Sequence, residues 1–304
     1  MTDRLLITGA SGFIGNAVVN ALPEGAAEIH LVGRTESRSE RPHTHTHVCD
    51  LLEPEQRRQL IADLRPTQML HLAWCTGHGR FWTDPDNLEW QHATHDLVRL
   101  FGDAGGGRAV LIGSCAEYDW TRPGPYSEDD SKLPSTLYGR AKNATAEASM
   151  TVAEELGFSL CWAHIFNVFG PGEHRDRLVP SLCRAANRRT IGELRHPRNV
   201  VDLIHVDDLA RALVMLVQSD LQGRINVASG LPTSLWQVRD VLSDLADIPG
   251  ERGSLSHDVG DVVTADISRL RSELAFTPEL DLRTGLESAL SWWRAQTPTE
   301  EPAL

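Results

Sequence analysis

The feature that most constrains this chain is a set of three glycines with two residues between each, Gly9-Ala-Ser-Gly12-Phe-Ile-Gly15. It follows an apolar run at residues 5–8 and opens an apolar, helix-like stretch at 12–22. Gly9 permits a tight turn, Gly12 lets a ligand's phosphates approach the main chain, and Gly15 lets the helix lie close to the strand. The N–H groups at the helix start then face the phosphates. A strand, a glycine loop and a helix in this order predict a dinucleotide site, with Ser11, Phe13 and Ile14 inside the loop.

The rest of the chain supports that reading. Apolar runs at 5–8, 29–32, 69–72, 109–112, 159–163 and 201–205 alternate with helix-like stretches at 12–22, 54–64, 86–104, 136–156, 176–188 and 207–217. Such alternation predicts an α/β fold, a Rossmann-type doubly wound parallel sheet covered on both faces. After residue 167 the pattern loosens, with further helices expected at 234–246 and 284–295. We read residues 1–166 as a dinucleotide-binding domain, to which parts of 200–226 return. Residues 167–200 and 227–296 form a smaller, interleaved C-terminal substrate-binding lobe, and 297–304 a flexible tail.

Composition excludes several classes. With 29 basic and 42 acidic residues the formal charge is −13, which argues against nucleic acid and anionic membranes as partners. No apolar run reaches the roughly 18 residues of a membrane span. The five cysteines are odd in number and form no C-x-x-C pair, which predicts reduced thiols. The first residues run straight into a strand-like segment and leave no room for a signal peptide, so a cytoplasmic location is expected.

The second apolar run ends in Leu31-Val-Gly33-Arg34-Thr35, with Ser37 and Arg38 close behind. A site for NAD(H) places an acidic side chain here to hold the ribose 2′-hydroxyl. Gly33 and Arg34 instead suit a 2′-phosphate, so NADP(H) is favoured over NAD(H). Asp50 could accept from the adenine amino group or, alternatively, cap a helix.

Tyr138 and Lys142 stand four apart, on one face of a helix. A neighbouring ammonium stabilises tyrosinate and draws the phenol below its free pKa of about 10. That would make Tyr138 a proton donor to a carbonyl under reduction. Lys142 could also hold the nicotinamide ribose. A hydroxyl that orients the carbonyl oxygen is supplied by Ser114, at the end of the fifth expected strand.

Together these residues resemble the extended short-chain dehydrogenase/reductase family, the sugar-nucleotide epimerase, dehydratase and reductase group. The resemblance covers nearly the whole chain. Thr8–Gly15, His71-Leu-Ala73, Ser114 and Tyr138-x-x-x-Lys142 match. So do Asn167-Val-Phe-Gly-Pro-Gly172, Asp202-Leu-Ile-His-Val-Asp-Asp208 and the stretch from Asp266 to Pro278. The resemblance implies that Leu51, Leu72, Ala73 and Trp74 also line the cofactor. It implies substrate contacts from Ser114, Cys115, Asn167 and Arg198, and a homodimer built on the helices at 86–104 and 136–156, while Glu117 reads as a substrate contact or second acid or, alternatively, as a loop charge.

Departures from the family pattern narrow the chemistry. Family dehydratases follow the hydroxyl residue with Asp-Glu, where this chain has Cys115 and Ala116. Family arginines are replaced by His164, by Val201 and, in the C-terminal part, by His257. Diphosphate recognition would then fall to Arg175, Arg177, Arg184, Arg195 or Arg198. The stretch Gly113–Trp120, with Trp74, Phe81, Trp82 and Trp90, resembles a subgroup of nucleotide-4-keto-6-deoxyhexose 4-reductases.

The resulting expectation is NADPH-dependent reduction of the C4 ketone of a nucleotide-activated 4-keto-6-deoxy sugar, a dTDP-sugar first of all. A 4-epimerase and a non-catalytic NADP-sensing module are the alternatives. Three other features are weighed and set aside. His43, His45 and His47 could share one side of a strand and bind metal, but no partner ligand is evident, so no metal is expected. Cys115 could be a nucleophile, but reads as small buried filler. Trp74, Trp82, Trp90 and Trp120 could line a methyl pocket, with core packing as the competing role.

Overall fold

The computed structural model describes residues 3–25, 27–35, 41–75, 77, 79–249 and 260–296. In its first part the chain runs β1 (Arg4–Thr8), α1 (Phe13–Ala21), β2 (Glu28–Gly33), β3 (Thr44–Val48), α2 (Pro54–Leu64), β4 (Gln68–His71), α3 (Asp86–Asp103) and β5 (Arg108–Ser114). A short 3₁₀ turn (Cys115–Glu117) leads to α4 (Leu137–Leu156), β6 (Ser159–Ile165), β7 (Asn167–Phe169), α5 (Leu178–Asn187), β8 (Val200–His205) and α6 (Val206–Val217). The remainder comprises β9 (Gly223–Val227), β10 (Pro232–Ser234), α7 (Leu235–Leu245), β11 (Val262–Val263), α8 (Ser268–Leu274) and α9 (Leu282–Gln296).

Seven strands form one parallel sheet in the order β3-β2-β1-β4-β5-β6-β9. Its inner strands bury both faces, which is why they read as unbroken apolar runs. Leu5 and Ile7 join a core with α1 and α6, while Leu6 and Met69 face a second core with α2, α3 and α4. A third cluster gathers α5, α7 and α9 around Phe169, Leu182, Val238 and Leu286. Strand order reverses between β1 and β4, and the crevice beyond their C-terminal ends is where ligands bind in such sheets.

One strand expectation is corrected. The run at 201–205 does not enter the large sheet. It is β8, which pairs β10 antiparallel and β11 and β7 parallel in a second, four-stranded sheet. The edge of the large sheet belongs to β9, whose sequence Gly-Arg-Ile-Asn-Val lacks a recognisable apolar run. β3 also sits at an edge, and its alternation Thr-His-Thr-His-Val suits a strand with one covered side.

On α3 and α4, Leu97, Phe101, Ala141 and Val152 are buried within the chain, whereas Leu88 stays exposed. No helix among the described residues is long and apolar enough to cross a membrane.

Candidate active site

The glycine loop stands between β1 and α1 with its main chain bare. Gly9 has φ +69°, and a Cβ there would lie 2.8 Å from the Ala73 nitrogen, so the β1 and β4 exits touch main chain to main chain. A Cβ on Gly15 would lie 2.3 Å from the Gly9 carbonyl oxygen. α1 starts at Gly12 without a side-chain cap and without an acidic residue in its first turn. A helix start of this kind offers its N–H groups to an anion. The cradle therefore fits a dinucleotide diphosphate.

Around it lie the other expected cofactor contacts. Ser11 is exposed, and Phe13 and Ile14 pack partly into the core. A Cβ on Gly33 would sit 3.6 Å from Ser11 Oγ, so the end of β2 borders the loop, and Arg34 beyond it is exposed. Ser37, Arg38, His257 and the segment 297–304 lie outside the described residues. Asp50 is engaged by the next helix: its Oδ1 accepts from the Leu52 nitrogen at 3.0 Å, and its own nitrogen donates to Gln56 Oε1 at 2.8 Å. Leu51 is buried and Leu72 partly so, while the Ala73 nitrogen donates to Thr8 Oγ1 at 3.3 Å. Trp74 donates to Asn87 Oδ1 at 2.8 Å.

Ser114, Tyr138 and Lys142 converge at the end of β5. Thr136 caps α4 by accepting from the Gly139 nitrogen at 3.1 Å. A Cβ on Gly139 would lie 2.2 Å from the Ala116 carbonyl oxygen, so the helix start is pressed against the turn that follows Ser114. This brings the Tyr138 phenol near enough to the Ser114 hydroxyl for that hydroxyl to favour its ionised form. Lys142 Nζ donates to the Ile112 carbonyl oxygen at 2.8 Å and stands 3.7 Å from the centre of the Trp74 ring. The rings of Phe81 and Trp82 meet Tyr138 edge to face at 5.0 and 5.8 Å, and Trp120 continues this wall 6.1 Å from Trp82.

The electrostatics differ from expectation in one respect. Burial pushes the Tyr138 phenol well above its ordinary value, and the influences in the other direction are the Ser114 hydrogen bond and the charge of Arg177. Lys142 does not supply the lowering charge. Its ammonium is tied to Ile112 and Trp74, and burial pushes it down to about 7, chiefly against the attraction of Glu117.

The expected substrate side is mixed. Cys115 is buried beside Ser114, and burial pushes its thiol up to about 12, away from nucleophile chemistry. Glu117 does not face the cleft at all. It is fully enclosed beneath β5 by the Ser114 amide, Trp162, His164 and Arg224, so the expected substrate contact is an internal one. Asn167 donates to the Asp202 carbonyl oxygen at 3.3 Å and joins β7 to β8. Arg198 is exposed on the segment before β8 and is not among the charges acting on Tyr138. Arg177, at the start of α5, is.

Two further groups had no individual signal in the sequence. Glu173 is buried just beyond the 167–172 turn, its Oε2 has no hydrogen-bond partner, and burial pushes it up to about 8 against Arg177. Arg224, on the edge strand β9, reaches Glu117 at 3.3 Å. The histidines of β3 are engaged at the sheet edge, His45 with Glu28 at 3.1 Å and His47 with His30 at 3.0 Å.

Comparisons with known proteins agree with this architecture. The chain is 27% identical to the dTDP-4-dehydro-6-deoxy-D-allose reductase of Streptomyces bikiniensis, over 96% of this chain and 97% of that one. The structure of MoeE5 with UDP-glucuronic acid and NAD superposes with a TM-score of 0.82 at 27% identity, covering 97% of this chain and 100% of that one. The UDP-glucose 4-epimerase of Thermotoga maritima, solved with UDP-glucose, has the same fold, with a TM-score of 0.83 at 21% identity over 96% and 99% of the two chains. Residues 5–228 match the NAD dependent epimerase/dehydratase family, and the chain belongs to that family, within the extended short-chain dehydrogenases/reductases.

Proposed function

We propose that the chain uses NADPH to reduce the C4 ketone of a nucleotide-activated 4-keto-6-deoxy sugar, a dTDP-sugar in the first instance, within deoxysugar biosynthesis. The observation that carries this reading is the packing of the start of α4, with Tyr138 and Lys142, against the end of β5 and the turn after Ser114, with no acid at positions 115 and 116 to eliminate water. The identity to the Streptomyces bikiniensis reductase, low as it is, points to the same chemistry.

Gly9, Ser11, Gly12 and Gly15 would hold the cofactor's diphosphate, Arg34 its 2′-phosphate, and Lys142 its nicotinamide ribose. NADPH bound there supplies a hydride to the carbonyl carbon. Tyr138 donates its proton to the carbonyl oxygen while the Ser114 hydroxyl holds that oxygen. A phenol pushed up by burial keeps its proton at neutral pH until the oxygen needs it. Asn167 positions the sugar, and Arg177 takes the substrate diphosphate. The wall formed by Phe81, Trp82 and Trp120 faces the sugar's apolar side. We assign a homodimer through α3 and α4, where Leu88 is exposed, and a cytoplasmic location.

The NAD bound to MoeE5 favours a second reading, a 4-epimerase that retains its cofactor. Absorbance at 340 nm separates the two. Stoichiometric loss of NADPH with a dTDP-4-keto-6-deoxyhexose supports reduction, and isomerised product without net loss supports epimerisation. Tyr138→Phe should lower kcat by roughly 10²–10⁴-fold while binding persists.

A further inference from the structure

Beneath the reactive strand end lies a chain of charges that the chemistry above does not use. Glu117 Oε1 accepts from the Ser114 nitrogen at 2.8 Å and from Trp162 Nε1 at 3.1 Å. Glu117 Oε2 meets His164 Nε2 at 3.1 Å and Arg224 Nη1 at 3.3 Å. Arg224 continues to Asn143 at 3.1 Å and to the exposed carboxylate of Glu147, both on α4, two turns or less from Lys142. On the far side of His164, Tyr118 bonds Asn226 at 2.6 Å. Room for this arrangement comes from Gly113: a Cβ there would lie 2.2 Å from Trp162 Nε1 and 2.6 Å from Glu117 Oε1.

A fully buried carboxylate is costly unless hydrogen-bonded and paired. Here burial pushes Glu117 up, but His164, the Ser114 amide and Arg224 outweigh it and hold the group below the usual carboxylate range. The group is thus a fixed negative charge directly under Ser114. We propose that Glu117 is a positioning residue for the site: it holds the Ser114 main chain from beneath, is linked through Arg224 to the helix that carries Lys142, and supplies the buried negative charge that keeps Lys142 an ammonium. Its kinetic consequence rests on the reductase reading, while its electrostatic consequence does not.

The surrounding charges are consistent with this role. Glu117 contacts His164 on β6 and Arg224 on β9, and its charge also acts on Lys142 and Tyr138 on α4, on Cys115 in the turn, on Tyr118 just after it and on Lys132 in the segment before α4. The charges acting on Lys142 are those of Glu117 and Cys75, it acts in turn on His71, and Glu117 is the foremost group keeping it protonated against burial. Tyr138 faces Ser114, Cys115 and Arg177 besides. Removing the Glu117 charge therefore lowers Lys142 and Tyr138 together.

The chain contains two lysines, Lys132 and Lys142, so lysine labelled with ¹³C and ¹⁵N gives two side-chain NMR signals, assigned with Lys132→Arg. Titrating the whole chain without substrate reads each ammonium. In Glu117→Gln the Lys142 midpoint falls by about one pH unit or more. In Glu117→Asp, which keeps the charge, the midpoint stays within a few tenths of a pH unit of the parent. With NADPH and a dTDP-4-keto-6-deoxyhexose, kcat of Glu117→Gln falls at least tenfold, its pH profile moves toward acid, and KM stays within about twofold. An unmoved Lys142 midpoint in a Glu117→Gln chain that melts like the parent overturns the proposal. So does a fall of that size in Glu117→Asp, which keeps the charge and decides alone if Glu117→Gln does not fold. A parent chain that turns over no keto-sugar overturns the reductase reading instead, and the two midpoints still judge Glu117.

Discussion

Gly15 and Gly9 touch across the start of α1 so closely that a methyl group on Gly15 would stand 2.3 Å from the Gly9 carbonyl oxygen. Alanine is worth up to about 1 kcal/mol more than glycine in a helix interior. That gain is small against a main-chain clash, because neither partner is a flexible side chain that can swing away. Gly15→Ala should destabilise the chain by about 1–3 kcal/mol in urea melts and weaken NADPH binding at least tenfold in a fluorescence titration. A variant as stable as the parent and with equal affinity would remove the close helix–loop contact from the account.

Arg34 is exposed at the end of β2, and the preceding residue is a glycine that leaves the space over Ser11 open. Hydrogen bonds to a charged group contribute about 1.5–3 kcal/mol, so Arg34→Ala should reduce NADPH affinity by roughly ten- to a hundredfold. NADH affinity should stay near its parent value. Parallel titrations with the two cofactors check this, and an equal loss for both would count against recognition of the 2′-phosphate.

His71 is buried between two hydroxyls, with Nδ1 2.8 Å from Thr8 Oγ1 and Nε2 3.1 Å from Thr94 Oγ1. Burial, helped by the Lys142 charge, lowers its pKa to about 3. Because the folded value lies below the unfolded one, the native state holds the neutral ring. The stability this represents is complete above about 6.5 and is lost as pH falls toward 3. The total is on the order of 5 kcal/mol. His71→Asn should destabilise the chain at pH 7.5 and flatten the decline on acidification, measured by urea melts between pH 7.5 and 4.

Glu173 works in the opposite direction. Burial raises its carboxyl to about 8, so the folded chain binds a proton that the unfolded chain releases above about 4.5. Stability therefore falls as pH rises from about 4.5 to 8. Glu173→Gln should be more stable than the parent at pH 8, by up to a few kcal/mol, and nearly equal to it at pH 4.5. A difference independent of pH would show that the carboxyl does not titrate in this interval.

How much of this was legible beforehand depends on the range over which each feature is encoded. The strand–loop–helix start and the pairing of Tyr138 with Lys142 on one helix face could be read directly, because both depend on neighbours within about a turn of chain. The helices at 54–64 and 86–104 were likewise visible from their own periodicity, and appear as α2 and α3. The exchange of β8 for β9 at the sheet edge was not visible. An apolar run marks a buried strand but carries no record of which sheet buries it.

Glu117 shows the same division within the site. From the sequence it reads as a substrate contact or second acid, or as a loop charge. The partners that enclose it, His164 and Arg224, are 47 and 107 residues away. The sequence alone determined the glycine loop and the placing of Tyr138 and Lys142 on one helix face, because backbone dihedrals, glycine's freedom and helical spacing are local properties. Tertiary structure alone decided that the start of α4 presses on the turn after Ser114, that Lys142 turns toward Ile112 and Trp74, and that Glu117 is buried, because burial and charge pairing depend on which layers the whole chain packs together.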